Sequence, residues 1–173
     1  MESIVRLTGR LDPRSGWTAD RCTIAKAMDV VGTRSALLLL REAFYGTTRF
    51  HEFAERVGIS EPVAAARLNE LVDHGLLERV PYREPGKRTR HGYQLTEKGR
   101  DFFPALVALK QWGDRWLAPE GGPVELIHRG CGATVQAELR CSAGHHTHPE
   151  DLDLESRPAR PRRKVTSAST RSQ

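Results

Sequence analysis

The feature that most limits what this chain can fold into lies between Phe50 and Gly99, FHEFAERVGISEPVAAARLNELVDHGLLERVPYREPGKRTRHGYQLTEKG. The pattern predicts a short helix from Phe50 to Arg56, ended by Gly58, and a second helix that starts at Ile59-Ser60. In the second helix Ala64, Leu68 and Leu71 recur at i, i+4 and i+7, giving one apolar face and one open face. Ser60 suits the N-cap, because its hydroxyl can accept from an unpaired amide of the first turn. Pro62 costs little there, since first-turn N–H groups have no partner within the helix. Gly75 ends the helix. Leu76 to Val80 then reads as a strand, PGKRTRHG as a basic tip, and Tyr93 to Leu95 as the returning strand. These parts, in this order, predict a winged helix-turn-helix, which sets an α-helix into a DNA major groove. The plainer alternative is a helical hairpin beside an ordinary β-hairpin with solvated charges. The order and the lengths of the parts favour DNA.

The flanking segments carry further motifs. CTIAKAMDVVGTRSALLLLREAFYG precedes the helix-turn-helix, and FFPALVALKQWGDRWL follows the LTEKG turn. With RFHEF, the second helix and the wing, this series resembles the HxlR-type regulators, relatives of the MarR group, over about Cys22 to Leu117. The resemblance implies a cytoplasmic bacterial transcription factor, not an enzyme, that acts as a homodimer on a roughly palindromic double-stranded operator. Three departures stand out. The family usually has a Trp where this chain has Ser35, and small polar or basic side chains where it has Pro62, Ala65 and Ala66. The wing is also slightly longer and more basic, so base-edge readout is expected to be thinner and backbone or minor-groove contact heavier.

Charge by itself says little here. The chain of 173 residues carries a formal net charge of +5. From Glu155 onward, Arg157, Arg160, Arg162, Arg163, Lys164 and Arg171 face a single acid, so the tail accounts for the whole excess. The local cluster Arg83, Lys87, Arg88 and Arg90, offset only by Glu84, is the better pointer to nucleic acid. No apolar run, Ala36 to Leu40 included, is long enough for a membrane span or a signal peptide, so no membrane partner is expected. Three cysteines without a secretion signal argue against a disulfide framework and for a reducing cytoplasm.

The expected fold class is α+β, mainly helical: a winged helix-turn-helix with N- and C-terminal dimerisation helices and a small C-terminal Cys/His appendix. Residues 1–21 read as a flexible arm and 22–118 as the DNA-binding and dimerisation domain. Residues 123–154 read as the appendix, and 155–173 as a tail too poor in apolar residues to fold. Helices are expected over Thr23 to Val31, over Arg34 to Tyr45, and from a Thr96 cap to about Leu117, with a kink at Pro104. In the last of these, Phe102, Leu106, Leu109, Gly113 and Trp116 form a heptad-like seam widened by Phe103, Val107 and Trp112. It reads as a dimer interface or as a helix folded onto its own core; the resemblance favours the dimer. A pocket for a small-molecule effector would lie between the dimer helices and the wing domain, but no residue marks it.

The recognition helix is placed at about 60–74 and the wing at about 83–91. Arg67 matches an Arg that the family places there, and it can read guanine, clamp a phosphate, or pair with Glu70 or Glu52. Ser60 and Glu61 stand at the groove-entering end, Glu61 as an acceptor from cytosine, and Ala65 can touch a thymine methyl. Arg49 is the expected phosphate anchor. Lys87, Arg88 and Arg90 would follow the backbone or enter a narrow minor groove, with His91 beside them. A winged helix serving as a protein-interaction module is the alternative from another class; the basic wing and Arg67 argue against it.

Cys22 opens the first helix, where a thiol is activated by the helix N-terminus; it reads either as an oxidant sensor or as a half-buried structural cysteine. In the appendix His128-x2-Cys131 and Cys141-x3-His145 have the layout of a zinc-ribbon-like knuckle, which would hold one structural zinc. His146 and His148 are rival ligands. A metal-free hairpin is the alternative, and a closed four-ligand site would leave no open position for catalysis.

Overall fold

A computed structural model describes residues 4–11, 22–83, 85–86 and 88–156. They form two compact units, one over 22–138 and the other made of 4–11 with 139–156. The larger unit begins with α1 (Thr23–Val31) and α2 (Arg34–Phe44), then α3 (Phe50–Val57) and α4 (Glu61–Asp73). Strands β2 (Leu77–Tyr82) and β3 (Arg90–Leu95) follow, and then α5 (Glu97–Arg100) and α6 (Phe103–Trp116). The smaller unit holds β1 (Arg6–Thr8), β4 (Asp153–Glu155) and two short 3₁₀ turns.

The amphipathic pattern places α2 at the centre, packed on α3, α4, β3 and α6. Thr33 caps α2, its hydroxyl accepting from the Ala36 amide at 3.1 Å. Leu39 and Leu40 of α2, Phe53 of α3, and Leu68 and Leu71 of α4 are all but sealed from solvent. Leu76, Leu77 and Tyr93 join them, and the Tyr93 ring meets Phe53 edge-on with centroids 6.0 Å apart. Each such side chain contributes about 1.5–3 kcal/mol on burial, so this cluster is the main stabilising element. The expected apolar face of α4, namely Ala64, Leu68 and Leu71, is the buried one.

Gly58 provides the left-handed backbone (φ 68°) that lets α3 stop and the chain turn into α4. Ser60 is the N-cap of α4, as expected, but its side chain makes no capping hydrogen bond. The wing is an antiparallel pair with Leu77 opposite Leu95, Arg79 opposite Tyr93 and Tyr82 opposite Arg90. Its strands run further than the sequence pattern suggested, so Arg90 and His91 lie in β3 and not in the tip.

Several expectations change. The single helix expected after Thr96 is two helices: Thr96 caps α5 by accepting from the Gly99 amide at 3.1 Å, and the chain breaks at Asp101-Phe102. Pro104 causes the break, because it has no N–H for the carbonyl four residues back and sits comfortably only in a first turn. The seam on α6 is also divided: Val107 is buried, Phe103 packs on Phe44 at 4.8 Å, and Leu109, Trp112 and Trp116 are exposed. Residues 1–21 are not uniformly an arm, since β1 pairs in parallel with β4 and Arg6 holds Asp153 at 2.6 Å. That ion pair raises the Arg6 pKa and lowers that of Asp153. The appendix expected at 123–154 is divided between the two units. Of the disordered tail expected at 155–173, Glu155 is instead the last residue of β4, and the part beyond residue 156 lies outside the described residues.

Candidate nucleic-acid interface

Burying Ala64, Leu68 and Leu71 turns Pro62, Val63, Ala66, Asn69, Glu70 and Asp73 of α4 outward. The N-terminal end of this open face carries Ser60 and Glu61, both exposed. Ala65 is half-buried, whereas Val63 and Ala66 are open, so they are better placed than Ala65 to meet a thymine methyl. Sequence reasoning missed Val63; a valine off the buried repeat of a helix that must enter a groove was the available signal.

Arg67 pairs with Glu70 at 2.5 Å, one of the two intramolecular partners that stood as the alternative to a DNA contact. The pair is exposed enough that water screens it, so it holds the guanidinium lightly and a phosphate or a base edge can compete. Asn69, which sequence reasoning also missed, accepts from Arg79 Nη2 of β2 at 2.6 Å, tying the open face of α4 to the wing.

Arg49 is the N-cap residue of α3, and its guanidinium lies over the Tyr82 ring, 4.6 Å from the centroid. This stack joins the first helix of the helix-turn-helix to the end of β2. A backbone bond from the Tyr93 amide to the Thr48 carbonyl at 2.8 Å makes the same connection one strand over. Gly92 permits it: a Cβ there would stand 2.9 Å from the Thr48 oxygen. The wing root is therefore fastened to the segment that presents Arg49. Arg88 and Arg90 are exposed on the wing, and Arg83 sits at its edge; Lys87 lies outside the described residues. Arg49, Arg67 and Arg88 thus stand on the segments expected for them, and Arg90 stands at the start of β3 rather than in the tip. Together they give a helix with a free face, a cation fixed at its side and a basic hairpin.

Cys22 is the N-cap residue of α1, half-buried, with a free thiol that makes no capping hydrogen bond. Of the four expected zinc ligands, His128 Nδ1 and Cys131 Sγ are 3.2 Å apart across a turn in which the Gly132 amide donates to the His128 carbonyl. Cys141 and His145 fall in the other compact unit, where the Cys141 amide donates to the His145 carbonyl at 3.0 Å. Among the described residues no group of three or more His, Cys, Asp or Glu side chains is gathered to hold a metal ion. None of the described helices is long and apolar enough to cross a membrane.

Comparison with known proteins agrees with this geometry. An uncharacterised helix-turn-helix-type transcriptional regulator of Mycobacterium tuberculosis is 46% identical over 121 residues, 69% of this chain and 75% of the relative. The crystal structure of PA1607, described as a candidate transcription factor, superposes with a TM-score of 0.68 at 38% identity, covering 82% of this chain and 96% of that one. A second candidate transcription factor, PA1374 of Pseudomonas aeruginosa, gives 0.57 at 34% identity over 82% of this chain and 96% of its own. The sequence pattern of the HxlR-like helix-turn-helix family matches residues 30–121, which hold the whole winged helix and α6. The chain belongs to the HxlR-like helix-turn-helix family of transcriptional regulators.

Proposed function

We propose that this regulator is a repressor that binds a roughly palindromic operator as a homodimer. α4 enters the major groove and the wing follows the flanking backbone or minor groove. The observation that carries this reading is the fastening of Arg49 between the helix-turn-helix and the wing root, with the open face of α4 beside it. The outward apolar residues Leu109, Trp112, Trp116 and Leu117 of the α6 end, with Ile24 and Met28 of α1, support the dimer, because so much exposed apolar surface marks an interface. A two-fold dimer then repeats α4 on successive major grooves, which makes the operator palindromic.

Mapping bound DNA across the genome gives the operator, and deletion of the regulator should raise transcription beside it. On that operator Arg67→Ala should cost about 1–3 kcal/mol and change binding to random DNA little. Replacing Lys87, Arg88 and Arg90 together by Ala should weaken both and flatten the salt dependence, since fewer counterions are released. Equal losses on operator and random DNA for Arg67→Ala would remove that residue from base reading.

Zinc in the appendix is a separate proposal. The close approach of His128 Nδ1 and Cys131 Sγ supports it for those two residues, and the spacing in the sequence supports it for Cys141 and His145. Untagged protein should contain close to one zinc per chain, and Cys131→Ser should lose it; wild-type protein that elutes metal-free from zinc-supplemented buffer would end this proposal.

A further inference from the structure

Between α2 and α6, closed on a third side by the segment Pro123–Leu126, runs a groove of about 470 Å³. That volume suits a small organic ligand. Its walls are mainly apolar, with Leu37, Leu38, Phe103, Leu106, Val124 and Leu126 facing the space. Its charged groups are few and mutually neutralised. Arg41 donates to Glu42 Oε1 from Nε at 3.1 Å and from Nη2 at 2.6 Å, and Lys110 pairs with Asp114 one turn on. A charged ligand would have to break one of these pairs or lie unpaired against apolar walls, and either is costly. An uncharged ligand meets neither penalty. The Arg41 guanidinium has five N–H donors, so it can serve both Glu42 and one neutral ligand oxygen, whereas a carboxylate at the same donors would set a second negative charge beside Glu42 with one cation between them.

Glu42 is also the link outward. Its side chain is nearly sealed from solvent; Oε2 accepts from the Thr47 hydroxyl at 3.3 Å, and Arg56 of α3 donates to that same hydroxyl at 2.8 Å. A chain of hydrogen bonds therefore runs from the groove through Thr47 to the helix that supports α4. Buried polar networks of this kind respond as units, since each member depends on the others for satisfaction.

We propose that this groove is the effector site of the regulator, that it takes an uncharged, mainly apolar ring compound bearing one oxygen acceptor, and that Arg41–Glu42–Thr47–Arg56 transmits its occupancy to the DNA-binding helices. The inference rests on the DNA-binding reading and adds the chemistry of the ligand. The probe is 2-acetylnaphthalene, with 2-naphthoate as its charged counterpart, titrated into the full-length protein by calorimetry. The neutral probe should saturate one site per chain and bind at least about tenfold more tightly than the carboxylate. Leu106→Trp fills the groove and should weaken the neutral probe about tenfold or more while leaving the unfolding temperature within a few degrees. The neutral probe should also change operator affinity about five- to tenfold, and Thr47→Val should keep probe binding but lose that response.

Absence of saturable binding, equal affinity for the carboxylate, or indifference to Leu106→Trp would each overturn the site. A monomer from Leu106→Trp would assign the groove to a second copy of the chain instead. Operator binding without probe is measured alongside, so that the effector site can fail while the DNA-binding reading stands, and the reverse.

Discussion

Arg49 owes its position to a neighbour 33 residues along the chain, the difference between its number and that of Tyr82, whose ring lies under the guanidinium. A free arginine side chain gives up about 2 kcal/mol of rotamer entropy when a phosphate immobilises it, and the stack removes part of that cost in advance. Tyr82→Ala should therefore weaken DNA binding several-fold, on operator and random sequence alike, because a phosphate carries no sequence information. Tyr82→Phe keeps the ring face and should bind as wild type. Combined with Arg49→Ala, the Tyr82→Ala loss should largely vanish in a double-mutant cycle. Additive losses would show that Tyr82 acts on DNA directly and does not position Arg49.

At the scale of elements, joints decide behaviour. Gly92 lets β3 approach Thr48, and Gly92→Ala would press a methyl against a carbonyl oxygen at 2.9 Å. We expect a loss of about 1–3 kcal/mol in thermal unfolding, together with weaker wing-dependent DNA binding. The β1–β4 pair depends on a different joint, Arg6–Asp153, and the sign of its pH dependence follows from the lowered Asp153 pKa. A carboxylate whose folded pKa is depressed stabilises above its unfolded value, here 3.8, and loses that contribution as pH falls through the folded value. The protection of the residue 6–8 amides, taken relative to their intrinsic exchange rate at each pH, should therefore fall below about pH 4, and Asp153→Asn should remove the pH step. Periodicity made α2, α3 and α4 legible, because each buries one stripe and is bounded by Thr33, Gly58 or Gly75. The division of α5 from α6 was half legible: Pro104 marked a disturbance, but a kink and a break differ only in how the turn before the proline packs. The β1–β4 pairing had no signal in the sequence, since three-residue strands 147 positions apart carry no period that either end reveals. Among the candidate interface residues, the places of Arg49 beside α3 and of Arg88 and Arg90 on the wing were legible in the sequence. The Tyr82 stack and the Asn69–Arg79 bond were not, because long-range pairing of polar side chains follows from strand register, which the sequence left open.

For the molecule as a whole the open question of assembly comes down to where α6 directs its apolar residues. Leu106 and Val107 serve the unit itself, one half-buried against the groove and one in the core, so a charged residue at either tests folding as much as association. Trp112 and Trp116 are different: they are 54% and 62% exposed in the single chain, so the isolated fold gains little from their rings. Two tryptophans one turn apart, with Leu109 and Leu117 beside them, are the composition of a buried interface core. Replacing both by Glu should leave the unfolding temperature of the single chain nearly unchanged, because surface substitutions are usually neutral to within about 0.5 kcal/mol. In a dimer the same change buries carboxylates without partners and should abolish association in sedimentation velocity. A monomer presents one α4 to a two-fold operator, so its specific affinity should fall by several orders of magnitude while its weak attraction for random DNA persists. A Trp112→Glu/Trp116→Glu protein that remains dimeric and binds its operator as wild type would place the dimer interface elsewhere and leave this face of α6 to another partner.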